Sequence, residues 1–327
     1  VRVIVADTLD SIADYRPREV DPPVAGAGQV VIEVAACGVG YVDSLVALGR
    51  YQVKPPLPHI PGQEVGGRVA AVGEGVTGLQ AGDRVMATVR GGFAERVVAA
   101  ANDVWPIPPR MRFAQAAGFR TNYLTALHGL RDRAMLSPGE RLLVFGAAGG
   151  VGIAAVQVGR LLGAEVIACA STALKRDHAL AHGATRAIDT DPQGWRDRLK
   201  AICGGQGPDV VFDPTCGPLF ESAFRSLSWR GRHLVVGFTG GPIPALRANL
   251  SLMKGAAMVG VDVRQFALFE PEHARAHLRE LLDHVAEGRL DPPVGREFAF
   301  DDYRACLEFA LSGQGLGKTV LRVAHGD

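Results

Sequence analysis

The sequence predicts an α/β protein in which a β-rich first part is followed by a doubly wound parallel sheet. Three observations carry that prediction. Short β-branched runs alternate with glycine turns through roughly the first hundred residues. From residue 114 onward, short apolar runs alternate with stretches of helical apolar spacing. A glycine cluster, Phe145-Gly146-Ala147-Ala148-Gly149-Gly150-Val151-Gly152, separates the first of those apolar runs from the helical stretch after it. The chain of 327 residues, 47% of them hydrophobic, is long enough for about two domains with well-buried cores.

Taken in order, residues 1–7 read as a strand and lack the layout of a signal peptide. Residues 30–34, 65–72, 84–89 and 94–99 are strand runs bounded by turns such as Gly73-Glu74-Gly75 and Ala81-Gly82-Asp83, and a compact antiparallel barrel or sandwich is expected. Residues 114–130 are rich in alanine and leucine and expected to be helical. After the turn Ser137-Pro138-Gly139, strands are expected at 141–145, 165–169, 187–189, 210–213 and 233–236. Helices are expected between them at 153–162, 174–182, 195–203 and 219–227, the alternation of a parallel sheet covered on both faces. A C-terminal part begins near residue 262. Its amphipathic helix, 271–287, carries Leu278, Leu281, Leu282 and Val285 on one face. Strands at 296–300 and 318–323 are expected to return to the first domain.

Charge excludes several classes of partner. The net charge is +1, with 35 basic and 34 acidic residues mixed along the chain, so no footprint for nucleic acid or an anionic membrane is present. No apolar stretch approaches the roughly 18 uncharged residues of a membrane span. The five cysteines, Cys37, Cys169, Cys203, Cys216 and Cys306, form no C-x-x-C pair, so reduced, buried thiols in a cytoplasmic protein are expected.

The glycine cluster has the strand–turn–helix context of a pyrophosphate cradle, in which backbone N–H groups meet the phosphates at the positive end of a helix. Ala147 stands where the first glycine of G-x-G-x-x-G would be, and Gly149 and Gly152 hold the second and third places. A carboxylate for the ribose 2′-hydroxyl would fall about 20 residues on, yet residues 166–176 contain no acid. Ser171, Thr172, Lys175 and Arg176 stand there instead. Hydroxyls and cations suit a 2′-phosphate, so NADPH is the expected cofactor.

Two further segments, Ala36-Cys37-Gly38-Val39-Gly40-Tyr41-Val42-Asp43 and Pro61-Gly62-Gln63-Glu64-Val65-Gly66-Gly67, resemble the catalytic region of medium-chain alcohol dehydrogenases. Gly73-Glu74-Gly75-Val76 and Ala81-Gly82-Asp83-Arg84-Val85 add to the likeness. Zinc-dependent members place a metal-binding cysteine and histidine where this chain has Gly40 and Gln63, and the four-cysteine lobe that holds their structural zinc is missing. With the block Asn249-Leu250-Ser251-Leu252-Met253-Lys254-Gly255 and the ending Gly317-Lys318-Thr319-Val320, the chain is similar to the zinc-free quinone oxidoreductase branch of the medium-chain dehydrogenase/reductase superfamily. The resemblance spans residues 30–323. It implies a GroES-like β-rich catalytic domain, 1–121 with 265–327, and a Rossmann dinucleotide-binding domain, 122–264. It adds Thr190, Gly237, Phe238, Asn249 and Lys318 to the cofactor-binding set and implies a homodimer. The relatives' tyrosine near the end of the third nucleotide-domain strand is absent here, where Asp189 stands instead as an unfavourable neighbour for a phosphate.

Without zinc, the expected reaction is hydride delivery from NADPH to a quinone. Two alternatives stand beside it: reduction of an enone or enoyl thioester, and a binding protein that holds NADPH without turnover. Charge gathering on a carbonyl oxygen needs a donor. Tyr51, in Gly49-Arg50-Tyr51, resembles the catalytic tyrosine of mitochondrial enoyl thioester reductases and is the leading candidate. Tyr41 and Gln63, at the vacated metal region, come next, and Asn122 is expected to approach the nicotinamide. His178 with His182 and His273 with His277 are spaced to share helix faces. Neither pair has the glutamate of H-E-x-x-H, so both are expected to be exposed helix residues, and no metal is expected.

Overall fold

A computed structural model describes residues 1–52 and 54–324 and divides the chain into two compact units. The first unit comprises Val1–Arg120 and Val285–Asp327. It holds β1 (Arg2–Val5), β2 (Arg16–Glu19), β3 (Gln29–Val39), α1 (Tyr41–Ala47), β4 (Glu64–Val72), β5 (Arg84–Thr88), β6 (Arg96–Ala100), β7 (Val104–Pro106) and α2 (Phe113–Ala116). The second unit, Thr121–His284, takes up the chain within α3 (Arg120–Leu127). It continues through β8 (Arg141–Phe145), α4 (Gly150–Leu161), β9 (Glu165–Cys169), α5 (Ala173–Ala181), β10 (Arg186–Ile188), α6 (Trp195–Ile202), β11 (Val210–Asp213) and α7 (Phe220–Ser226). After them come β12 (Arg232–Val235), α8 (Asn249–Lys254), β13 (Ala257–Gly260), α9 (Val263–Phe269) and α10 (Pro271–Ala286). The first unit is then completed by β14 (Val294–Ala299), α11 (Tyr303–Ser312) and β15 (Lys318–Arg322).

In the first unit β3 is the organising strand. It pairs antiparallel with β4, β6 and β15, within the sheet order β14-β15-β3-β4-β5-β7. Its bulges bend it enough to serve several neighbours. Ile32, Val34, Val65, Val69, Val85 and Leu321 meet in the core. The expected antiparallel arrangement is modified at one place, because β14 runs parallel to β15, which α11 makes possible by carrying the chain back.

The second unit is built on six parallel strands in the order β10-β9-β8-β11-β12-β13. Numbered within the unit this is 3-2-1-4-5-6, the Rossmann order, whose reversal lies between β8 and β11. Leu142, Leu143 and Val144 of β8 and Val210, Val211 and Phe212 of β11 have no exposed surface, as expected for strands covered on both faces. The fold is therefore a mixed α/β arrangement, a largely antiparallel β unit with a Rossmann parallel-sheet unit.

Two expectations about local structure need correction. Residues 114–130 are not one helix. Ala117, Gly118 and Phe119 interrupt it, and after α3 the chain widens into a π-helical turn, His128–Arg133, in which Ala134 N donates to Gly129 O five residues back at 2.9 Å. Residues 265–284, assigned by resemblance to the catalytic domain, pack instead with the second unit. Phe266 and Ala274 bury against Leu124, and Arg131 holds Glu280 through two hydrogen bonds of 2.6 Å.

The second histidine pair is also corrected. His277 is buried, because its Nε2 donates to the carboxylate of Asp132 at 2.9 Å from 145 residues away, while His273 remains exposed. The first pair is not fully exposed either: His178 on α5 and His182 at its C-cap are half-buried, their rings 4.3 Å apart.

Candidate functional site

In the second unit the candidate residues gather at one edge of the sheet, where the C-terminal ends of β8, β9, β10 and β12 lead to residues 146–152, 171–172, 190 and 237–238. Gly146 is left-handed (φ 56°), so the turn out of β8 needs glycine. A Cβ at Gly152 would overlap Gly146 O, so the third glycine lets α4 close on the strand. Gly149 is different. Its φ of −81° suits any residue, and a Cβ there would meet only Gly146 O at 3.4 Å. Protein packing does not require glycine at 149, and the N-terminus of α4 has no side-chain cap there, so a phosphate could approach it closely. Ala147 and Ala148 are buried beneath the loop, and Gly150 and Val151 open the helix. Asn122 is buried, and a Cβ on Gly150 would lie 2.9 Å from its Nδ2, which places its amide against the glycine loop.

Beyond β9, Ser171 and Thr172 are exposed, and Thr172 Oγ1 caps α5 by accepting from Lys175 N at 3.3 Å. Arg176 folds back, its Nη1 donating to Ala170 O and Ser171 O at 3.0 and 3.2 Å, which brings a fixed positive charge to the strand end. Asp189 accepts from Arg198 Nη2 at 2.7 Å and from Asp191 N at 2.9 Å. Those contacts hold its carboxyl below the usual range and offset its charge. Thr190 and Phe238 are exposed and Gly237 is half-buried. Asn249 is exposed at the start of α8.

In the first unit, Tyr41 begins α1 and is half-exposed, as is Tyr51, while Gln63 is exposed and its carbonyl accepts from Val89 N. Lys318 belongs to this unit, at the start of β15. A Cβ on Gly40 would lie 3.3 Å from Lys318 Nζ and 3.4 Å from Asp43 Oδ2, and the same ammonium is 3.8 Å from Glu64 Oε2. The ammonium therefore stands beside the position where zinc-dependent relatives carry a ligand. Burial raises Asp43 above the usual carboxylate range, against the pull of Lys318 and of the Gly40 N–H that donates to it at 2.7 Å.

Comparison with known proteins matches this arrangement in both units. Residues 26–109 match the alcohol dehydrogenase GroES-like domain, and residues 150–286 match the family described as zinc-binding dehydrogenase. Quinone oxidoreductase-like protein 2 homolog of Nematostella vectensis is 34% identical over 300 residues, covering 90% of this chain and 82% of that protein. Human quinone oxidoreductase is 31% identical over 302 residues, 91% of this chain and 90% of its own. The chain belongs to the quinone oxidoreductase branch of the medium-chain dehydrogenase/reductase superfamily. It is thus an oxidoreductase by family. Among solved structures, the quinone oxidoreductase from Thermus thermophilus, also solved in complex with NADPH, superposes with a TM-score of 0.85 at 32% identity, over 99% of this chain and 100% of that one. The CurK enoyl reductase superposes with a TM-score of 0.89 at 25% identity, over 99% of each chain.

Several residues with roles at these sites were not singled out from sequence. Asp43 and Glu64 are one case; the signal was an acid within each family-like apolar segment. Asp213 is another. Buried at the end of β11, it accepts from Thr215 N, Thr215 Oγ1, Cys216 N and His233 Nε2 at 2.7–3.1 Å. It thereby fixes the loop whose Thr215 side chain lies beside Gly146.

Proposed function

We propose that this oxidoreductase reduces quinones with NADPH and without zinc. The observation that carries the reading is a helix N-terminus cleared at Gly149 in the same sheet edge as the cation-bearing end of β9, where Arg176 is fixed and Lys175 follows the hydroxyls of Ser171 and Thr172. Backbone N–H groups of 149–152 would take the pyrophosphate, and Lys175 with Ser171 and Thr172 would take the 2′-phosphate. Asp189, countered by Arg198, no longer opposes that phosphate. The NADPH complex of the Thermus relative supports the same cofactor. Gly40 offers no ligand atom, the Gln63 amide is a poor one, and the ammonium of Lys318 already supplies positive charge there.

The bound nicotinamide would supply a hydride. The task of Tyr51, with Tyr41 and Gln63 as further donors, is to stabilise negative charge on the acceptor oxygen, while Asn122 orients the ring-bearing end of the cofactor. A quinone demands little of this machinery, because reduction makes it aromatic. An enone or enoyl thioester demands more, and the likeness to an enoyl reductase together with Tyr51 favours that as the second reading. No helix among the described residues is long and apolar enough to cross a membrane. Five buried free thiols support a cytoplasmic setting. We also propose a homodimer formed through β13, which among the described residues pairs only with β12 and carries exposed Met258, with Leu252, Met253 and Trp229 exposed nearby in sequence or contact.

The test is loss of NADPH absorbance with quinone, enone and enoyl thioester panels, repeated with NADH. Quinone turnover with NADPH above NADH is expected. Turnover confined to enones or thioesters would give the second reading, and NADPH binding with no turnover on any panel would leave a binding protein. Light scattering should give twice the chain mass.

A further inference from the structure

We propose that Asp132, His273 and His277 form a binding site for a divalent transition-metal ion, best matched by Zn²⁺, that clamps α10 onto the π-helical turn. One nitrogen from each histidine and one oxygen of Asp132 lie within 4.8 Å of one another. His273 and His277 sit one turn apart on α10, so both imidazoles leave the same face. The π-turn delivers Asp132 to that face, and such turns occur disproportionately at functional sites. Two imidazoles and one carboxylate suit zinc and its neighbours rather than magnesium or calcium.

The surroundings orient the donors. His128, buried on the same turn, donates from Nδ1 to Asp132 Oδ2 at 2.8 Å and stacks flat on Phe266, ring centroids 3.8 Å apart. Phe266 also meets the edge of His273 and lies against His277. Glu270 Oε2 lies 3.2 Å from His273 Nδ1, while His273 Nε2 points to Asp132 Oδ1 at 3.9 Å. A carboxylate on one ring nitrogen, with the other left toward the metal, is the outer-shell arrangement that fixes metal-binding histidines. The spacing of 3.9 Å is too long for a hydrogen bond but close to the separation of about 3.4 Å between two ligands bound to one zinc. His277 Nε2 and Asp132, at 2.9 Å, would part slightly as the metal replaces the proton between them. His273 is 46% exposed, which leaves an entry path and room for a water ligand.

The other histidine pair supplies the internal control. His178 and His182 have the same spacing, but His182 Nδ1 donates to the His178 carbonyl at 2.8 Å, and no carboxylate completes a cluster among the described residues.

The experiment titrates tag-free, chelator-stripped full-length protein with Co²⁺, then displaces it with Zn²⁺. One Co²⁺ per chain with visible d–d absorption, lost on adding Zn²⁺, and a raised thermal midpoint are expected. His273→Gln, at an exposed position, should weaken Co²⁺ at least tenfold with NADPH affinity retained, and Glu270→Gln about tenfold. His178→Gln should change nothing. Absence of a visible band and of a midpoint shift at millimolar Co²⁺ would overturn the proposal. So would equal affinity in the wild type and His273→Gln.

Discussion

The two units treat shielded carboxylates in opposite ways. In the parallel-sheet unit, Glu140 faces Arg232 through hydrogen bonds of 2.6 and 2.8 Å, and those bonds hold it below the usual carboxylate range. Burial would raise Asp209 and Asp213, but the hydrogen bonds from Arg141 to the one and from His233, Thr215 and Cys216 to the other outweigh it. In the GroES-like unit, Asp43 is raised by burial, and its cation, Lys318, is shared with Glu64. Fully bonded acids fix strand ends and loops, as Asp213 does beside the glycine cluster. An under-compensated acid beside an ammonium is the kind of perturbed group that marks reactive regions. The parallel-sheet unit thus uses its paired acids to fix strand ends, and the other unit keeps an acid and an ammonium side by side where chemistry is proposed.

The largest expected effect tests whether the chemistry belongs to the first unit. Tyr51→Phe keeps the ring and removes one donor, so enone or enoyl turnover should fall by about a hundred- to a thousandfold while most quinone turnover survives. Both rates are measured in one preparation with NADPH affinity as the folding control; an equal, small loss on every acceptor would make Tyr51 a pocket wall. Next comes the binding half. Lys175→Ala should weaken NADPH by about ten- to a hundredfold and leave NADH nearly unchanged, as expected for one charge-assisted contact of roughly 1.5–3 kcal/mol. Equal wild-type affinity for the two cofactors would erase the assignment of residues 171–176.

A smaller effect concerns acid. Burial pushes His59, 2.6 Å from the Tyr15 hydroxyl, down to about 4. Between an unfolded value of about 6.5 and that folded value, the unfolded chain takes up a proton that the folded chain refuses, so stability falls as pH drops through this window. Glu140, Asp209 and Asp213, held low when folded, withdraw stability from the parallel-sheet unit as pH falls below about 4, and His178 in the same unit, lowered by burial, adds to the loss that begins near the unfolded histidine value of about 6.5. The thermal midpoint should fall as pH drops through the His59 window, and His59→Gln should make that fall smaller; an unchanged fall would remove His59 from the account. The smallest effect is none: chelation should leave quinone turnover within about twofold, about 0.4 kcal/mol of barrier, since Gly40 and the Gln63 amide give the proposed reaction no good metal ligand. Substantial loss of turnover that the His273→Gln variant does not reproduce would return a metal to the reaction.

The parallel sheet was legible because its signals are local. Runs such as Arg141–Phe145 are the length of a buried strand, and the loop after them is punctuated by glycines. The cofactor candidates follow from strand ends and so inherit that legibility. The break at residues 117–119 was hidden, because Gly118 is needed for the Lys318 side chain two hundred residues away, and alanine-rich sequence favours continuing the helix. Asp132 and His277 illustrate the same limit. Each looks like a solvent-facing residue of a polar helix until tertiary packing brings them together. The pairing of Lys318 with Asp43 and Glu64 was equally invisible, since residue spacing carries no information on contacts between remote strands.

The first unit is discontinuous, and β15 lies between β14 and β3 in its sheet although it is synthesised after the whole of the second unit. A ribosome that has just passed His284 has supplied every strand of the parallel sheet but not Phe298, Leu307 or Leu321 of the other core. Vectorial synthesis therefore favours the parallel-sheet unit as the first to fold, with the GroES-like unit waiting on β15. A chain released early would also lack Lys318, leaving Asp43 and Glu64 without their shared cation. Such a fragment could retain dinucleotide affinity while having no finished catalytic half, so cofactor retention on an affinity resin is a poor certificate of an intact polypeptide.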